Sequence, residues 1–163
     1  MKSPQEKETF FTIIIKDYSR IINSVCFFYS SENIPFEDLR QEVYINIWKG
    51  LDQFRSDSKV STWIYRIAIN TALMAIRTGK KKINTVPIDS VVINFSDKID
   101  NSQQDRLETL DSLIEKLDDI EKAIILLWLD EYSYEEIAEA MGLKKSNVAT
   151  KIFRIKEKLS KLK

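Results

Sequence analysis

Apolar side chains recur along this chain at intervals of three and four residues and seldom alternate, so the pattern predicts helices and no sheet. The Ile- and Phe-rich stretch from residue 5 to 29 predicts one long helix, broken by Ser30, Ser31, Glu32 and Asn33. Pro35 suits the first turn of a second helix reaching Leu51, in which Leu39, Val43, Ile47 and Leu51 share a core-facing stripe. Beyond the polar loop Ser56 to Lys59, Ser61 or Thr62 can cap a third helix. That helix ends near Arg77 or Thr78, before Gly79, and turns Ile64, Ile67, Ala68 and Thr71 inward. Residues 1–79 therefore form one helical domain.

Residues 80–106 carry no helical period and are enriched in Asp, Asn and Ser, which marks a linker. A flexible segment of about 24 residues spans roughly 27 Å on average and roughly 80 Å when pulled straight. Helical spacing returns at Leu107, with one helix to about Leu117, another from Asp119 to Leu129, and two more after short loops. In that final pair Ser133 and Glu136 form a capping box, Gly142 can adopt the left-handed turn that ends a helix, and Ser146 can cap the next. Such punctuation predicts a helix-turn-helix within a second domain, 107–163. The fold class is all-α: two small helical domains joined by a flexible linker, the C-terminal one a helix-turn-helix.

Composition agrees, since 163 residues include only three Gly, three Pro and no His. The apolar clusters at Ile13 to Ile15 and Ile124 to Leu129 are far shorter than a membrane span, and the first residues carry acids without a cleavage site. A cytoplasmic protein without membrane insertion is expected. The lone Cys26, within Val25-Cys26-Phe27-Phe28, reads as a small buried hydrophobe.

Net charge is zero, but the charges are sorted. Residues 1–82 hold thirteen basic and nine acidic side chains, and 83–106 hold two and four. Residues 107–143 hold two basic and eleven acidic, whereas 144–163 hold eight and one. A terminal helix of net charge +7 thus follows an acidic segment of −9.

On that last helix Val148, Ile152, Ile155, Leu159 and Leu162 form the buried stripe. The other side carries Asn147, Thr150, Lys151, Arg154, Lys158 and Lys161, with Ser146 at its start. Hydrogen-bonding groups first and cations later match a helix that reads base edges in duplex DNA and then meets phosphates. Four phosphate contacts would give a salt slope of about −3.6. A lysine-rich solvated face is the plainer explanation of the charge, but it leaves the helix punctuation unexplained.

The second helix has an outer face of Asp38, Gln41, Glu42, Ile45 and Trp48, suited to docking on a protein, although periodicity equally allows Trp48 in the domain's own core. On the third helix Trp63, Arg66, Asn70 and Arg77 align, an arrangement suited to unpaired bases and backbone; partial burial of Trp63 is the alternative. The adjacent polar loop from Arg55 to Lys59 could hold a base taken out of its stack.

Three stretches in this order resemble the extracytoplasmic-function (ECF) sigma factors of bacterial RNA polymerase. Glu37-Asp38-Leu39-Arg40-Gln41-Glu42-Val43 through Trp48, then Leu51 to Arg55, then Ser61 to Asn70, are similar to the family's region 2, and Tyr132 to Lys158 to its region 4. The resemblance implies binding of core RNA polymerase through Asp38, Gln41, Glu42 and Trp48, beside which Ile45 lies. It implies that Arg55, Ser58, Lys59, Ser61, Trp63, Arg66, Asn70 and Arg77 melt and hold the minus-ten element. It assigns the duplex minus-thirty-five element to Ser146, Asn147, Thr150, Lys151, Arg154 and Lys158. The linker would thread the RNA exit channel, and an anti-sigma partner is common in the family. Many members carry arginine where Ile69 stands and aspartate where Met74 stands.

Two other classes compete. A stand-alone helix-turn-helix regulator would bind duplex DNA without polymerase, and a purely interacting protein would occupy polymerase without opening promoters. With no histidine, no metal-ligand cluster and no phosphate-cradling glycine loop, neither an enzyme nor a cofactor is expected.

Overall fold

The computed structural model describes residues 2–79 and 109–162, so the 80–106 linker lies outside the described residues. Those residues form two helical units. The first contains α1 (Pro4–Asp17), α2 (Ser19–Tyr29), α3 (Phe36–Gly50) and α4 (Val60–Gly79). Ser3 starts α1 with a capping box: its hydroxyl accepts the Glu6 N–H while the Glu6 carboxylate accepts the Ser3 N–H at 2.8 Å.

The expected single helix over 5–29 is two, because Tyr18 takes φ −111° and ψ 18° and turns the axis. The break costs little hydrogen bonding, since the Tyr18 N–H still donates to the Ile14 carbonyl. It lets α1 lay Phe11 against Trp48 of α3 while α2 packs on both α3 and α4. Ile14, Ile22, Val25, Cys26 and Tyr29 then meet Leu39, Val43, Ile47 and Leu51, with Ile64, Tyr65, Ala68, Ile69 and Ala72 from α4. Burial pushes the Cys26 thiol up to about 12 from its ordinary 9.0. Asn46 donates to Thr71, whose hydroxyl donates to the Ile67 carbonyl, joining α3 to α4 through a satisfied polar pair.

Two boundaries differ from expectation. Pro35 is the residue before α3, not within its first turn. Neither Ser61 nor Thr62 caps α4: the helix begins at Val60, with the Lys59 carbonyl accepting the Trp63 N–H, and Thr62 is buried within the first turn.

The second unit comprises α5 (residues 109–115), α6 (Asp119–Leu129), α7 (Tyr134–Met141) and α8 (Lys145–Lys161). Helix α6 buries Ala123 to Leu127 without interruption, as a helix surrounded by others must. Ser133 and Glu136 form the expected capping box on α7, and Gly142 ends it at φ 66°. Ser146 does not cap α8. That position falls to Lys144, and Ser146 sits in the first turn, its carbonyl accepting the Thr150 hydroxyl at 3.0 Å. Along α8, Val148, Ile152 and Ile155 are buried, Leu159 is half-buried and Leu162 emerges into solvent.

Candidate functional site

The outer side of α3 is set by its core stripe. With Leu39, Val43 and Ile47 turned inward, Asp38, Gln41, Glu42, Ile45 and Trp48 all point to solvent. Trp48 is therefore not a core residue; it is 38% exposed. Phe11 meets its ring edge-on at 5.2 Å, and the Lys7 ammonium lies 4.6 Å from the ring centroid while pairing with Asp52 at 2.6 Å. An indole held in place by α1 yet open on one side suits a protein partner, because its rotamer is set before docking.

Helix α4 presents Arg66, Asn70 and Arg77 to solvent, whereas Trp63 is half-buried. Phe54 packs on Trp63 in a tilted arrangement at 4.7 Å, and Phe10 stacks on Phe54 at 6.5 Å. The backbone of Gly50 runs so close that a Cβ there would lie 3.1 Å from the indole. In the loop before α4, Arg55 and Lys59 are exposed, Ser58 is half-buried and Ser56 holds φ 60°, while Ser61, in the first turn of α4, is half-buried. Of the two positions where ECF members often differ, Ile69 is buried, while Met74 is 60% exposed between Asn70 and Arg77.

On α8, Ser146, Asn147, Thr150, Arg154 and Lys158 are exposed and Lys151 is half-buried. Phe153, which the polar-face reading passed over, is 64% exposed beside Arg154. Three lysines of α8 are engaged within the unit. Lys145 pairs with Glu135, and that hydrogen bond holds the Glu135 carboxyl below its usual range. Lys156 lies 4.1 Å over the Trp128 ring, and Lys158 pairs with Glu121 at 2.9 Å. Among the described residues, no group of three or more His, Cys, Asp or Glu could hold a metal, and no helix is long and apolar enough to cross a membrane.

A helix-turn-helix with a polar, cationic second helix, in a chain that also holds a separate helical unit, defines the class of a helical DNA-binding protein. Comparison with known proteins places it further. Residues 14–82 match the Sigma-70 region 2 family and residues 107–159 match Sigma-70, region 4. The ECF RNA polymerase sigma-E factor of Escherichia coli K12 is 30% identical over 167 aligned positions, covering 93% of this chain and 85% of the relative. That of Haemophilus influenzae is 27% identical, covering 93% and 86%.

Two solved structures share the fold. CnrH, in complex with the cytosolic domain of CnrY, superposes with a TM-score of 0.66 at 22% identity, covering 93% of this chain and 86% of that one. The sigma factor RpoE of Bartonella quintana, in complex with the anti-sigma factor NepR, gives 0.64 at 21%, covering 90% and 94%. The chain belongs to the ECF family of RNA polymerase sigma factors. A stand-alone regulator is set aside, because the likeness embraces the first unit as well as the helix-turn-helix.

Proposed function

We propose that each exposed face has one task in promoter recognition. As a sigma factor the chain directs core RNA polymerase to promoters and opens them, and the polymerase supplies the chemistry. In this reading Asp38, Gln41, Glu42, Ile45 and Trp48 dock on core polymerase, an apolar pair within a polar rim. The loop with Arg55, Ser58 and Lys59, together with Ser61, Trp63, Arg66, Asn70 and Arg77 of α4, receives the melted minus-ten strand. Ser146, Asn147, Thr150, Lys151 and Arg154 read the minus-thirty-five duplex, where Phe153 can touch a thymine methyl. Residues 1–79 and 107–163 act as the two domains, with 80–106 linking them.

The observation that carries this reading is the separation of chemistries on one bundle: α3 shows acids, an aliphatic and an indole, while α4 shows arginines and an amide. By analogy with the two solved relatives, each bound to a protein partner, the chain takes an anti-sigma partner in the cytoplasm. The test is assembly with core polymerase on native gels, followed by binding to a fork-junction promoter probe. Ile45→Asp with Trp48→Ala should abolish assembly, and Arg66→Ala with Asn70→Ala should spare assembly and lose the fork. Loss of assembly in both variants would refute the division of labour.

A further inference from the structure

Lys158 belongs by spacing to the DNA side of α8, alongside Lys151 and Arg154. Its surroundings separate it from them. The Lys158 ammonium lies 2.9 Å from Oε2 of Glu121, a residue 37 positions earlier on α6. The same Oε2 accepts the Asp118 N–H at 3.0 Å as part of the α6 capping box. The Glu121 carboxylate is thereby held by a backbone N–H, and its side chain is only 22% exposed.

An ordinary surface pair gains little, because two long side chains must both be ordered to form it. Here one partner is already ordered by the helix cap, and the other lies on a buried-stripe helix that packs on α6. The carboxylate occupies the cation as a phosphate oxygen would, in charge and in hydrogen-bond geometry. Lys151 and Arg154, by contrast, have no ion-pair partner among the described residues.

Resting on the reading of α8 as the duplex-binding helix, we propose that Glu121 is an intramolecular stand-in for a DNA phosphate. It holds Lys158 out of the backbone contacts, fixes the carboxy-terminal half of α8 on α6, and sets the number of cations the domain offers to DNA. Lys158 is then a positioning residue, and Glu121 limits sequence-independent affinity for duplex.

Salt dependence reads this directly, since each phosphate contact contributes about −0.9 to the slope of log K against log salt. The assay uses the full chain assembled with core polymerase on a labelled promoter duplex recovered from a random library, titrated across salt. Glu121→Gln keeps a capping-box side chain but removes the charge, so the slope should steepen by about 0.9. Lys158→Ala should leave it unchanged, and the double variant should match Lys158→Ala.

If Lys158→Ala makes the slope shallower by about 0.9 and Glu121→Gln changes nothing, Lys158 already meets a phosphate and the inference is overturned. Lys151→Ala serves as the control for the underlying reading. It should make the slope shallower by about 0.9, and no change would show that α8 does not face DNA.

Discussion

Phe54 packs on Trp63 with ring centroids 4.7 Å apart and planes tilted by 40°. Phe54 immediately precedes the loop proposed to receive the minus-ten strand, and Trp63 stands in the first turn of α4, so the pair locks the loop to the helix. Phe10 extends the stack from behind. Phe54→Ala should lower stability by about 1–2 kcal/mol, the sum of a lost ring contact and partial apolar exposure. Permanganate reactivity of promoter thymines should fall severalfold while assembly with core polymerase persists. Phe54→Leu should recover stability more than strand opening; equal recovery of both would reduce the pair to a packing contact.

The Trp63 position can be tested from the opposite side. Gly50→Ala removes a flexible residue from the end of α3, worth up to about 1 kcal/mol in a helix, but sets a methyl 3.1 Å from the indole. The two effects oppose, so thermal stability should change by less than about 1 kcal/mol. Promoter opening should nonetheless drop, because the ring must shift. Unchanged opening would mean the indole tolerates displacement.

Cys26 gives the protein a pH signature. Its thiol is raised from 9.0 to about 12 by burial, so the folded state keeps the proton over a range where the unfolded chain loses it. The unfolded state then binds fewer protons, and stability must fall as pH rises from about 9 toward 12. Cys26→Ala should flatten that part of the curve in chemical denaturation. At pH 8 iodoacetamide should label Cys26 only after unfolding; rapid labelling of the native protein would contradict its burial.

The helix-turn-helix is stabilised by local bonds whose loss has a defined size. Ser133→Ala removes the hydroxyl that accepts the Glu136 N–H at 3.1 Å and should cost about 1 kcal/mol, or roughly 4–8 °C in the melting of a domain this small. Gly142→Ala places a side chain at φ 66° and should cost about 1 kcal/mol through backbone strain, although the space beside it is open. Differential scanning calorimetry separates these from Ser146→Ala, which removes no cap and should be nearly neutral.

The capping box at Ser133 and the turn at Gly142 depend on residues within four positions of each other, and both stand where their residue types require. The core stripe of α3 followed equally from spacing. The break at Tyr18 did not, because no glycine or proline marks it; α1 packs on α3 while α2 packs on both α3 and α4. Ser61 and Ser146 were plausible caps by type, yet each helix starts one or two residues earlier, where a lysine carbonyl takes the first turn's N–H. Periodicity placed Trp63 and Lys158 on exposed faces but could not reveal Phe54 or Glu121, which only the fold brings to them.

The most direct test of the account is run-off transcription from a promoter library by core RNA polymerase with and without the chain. Specific initiation should require the intact protein, fall at least tenfold with Lys151→Ala/Arg154→Ala, and fall likewise with Trp63→Ala although both variants still bind core. Specific initiation unaffected by either variant would contradict the assignment of α4 and α8 to promoter DNA, and no initiation with intact protein that binds core would contradict the account as a whole.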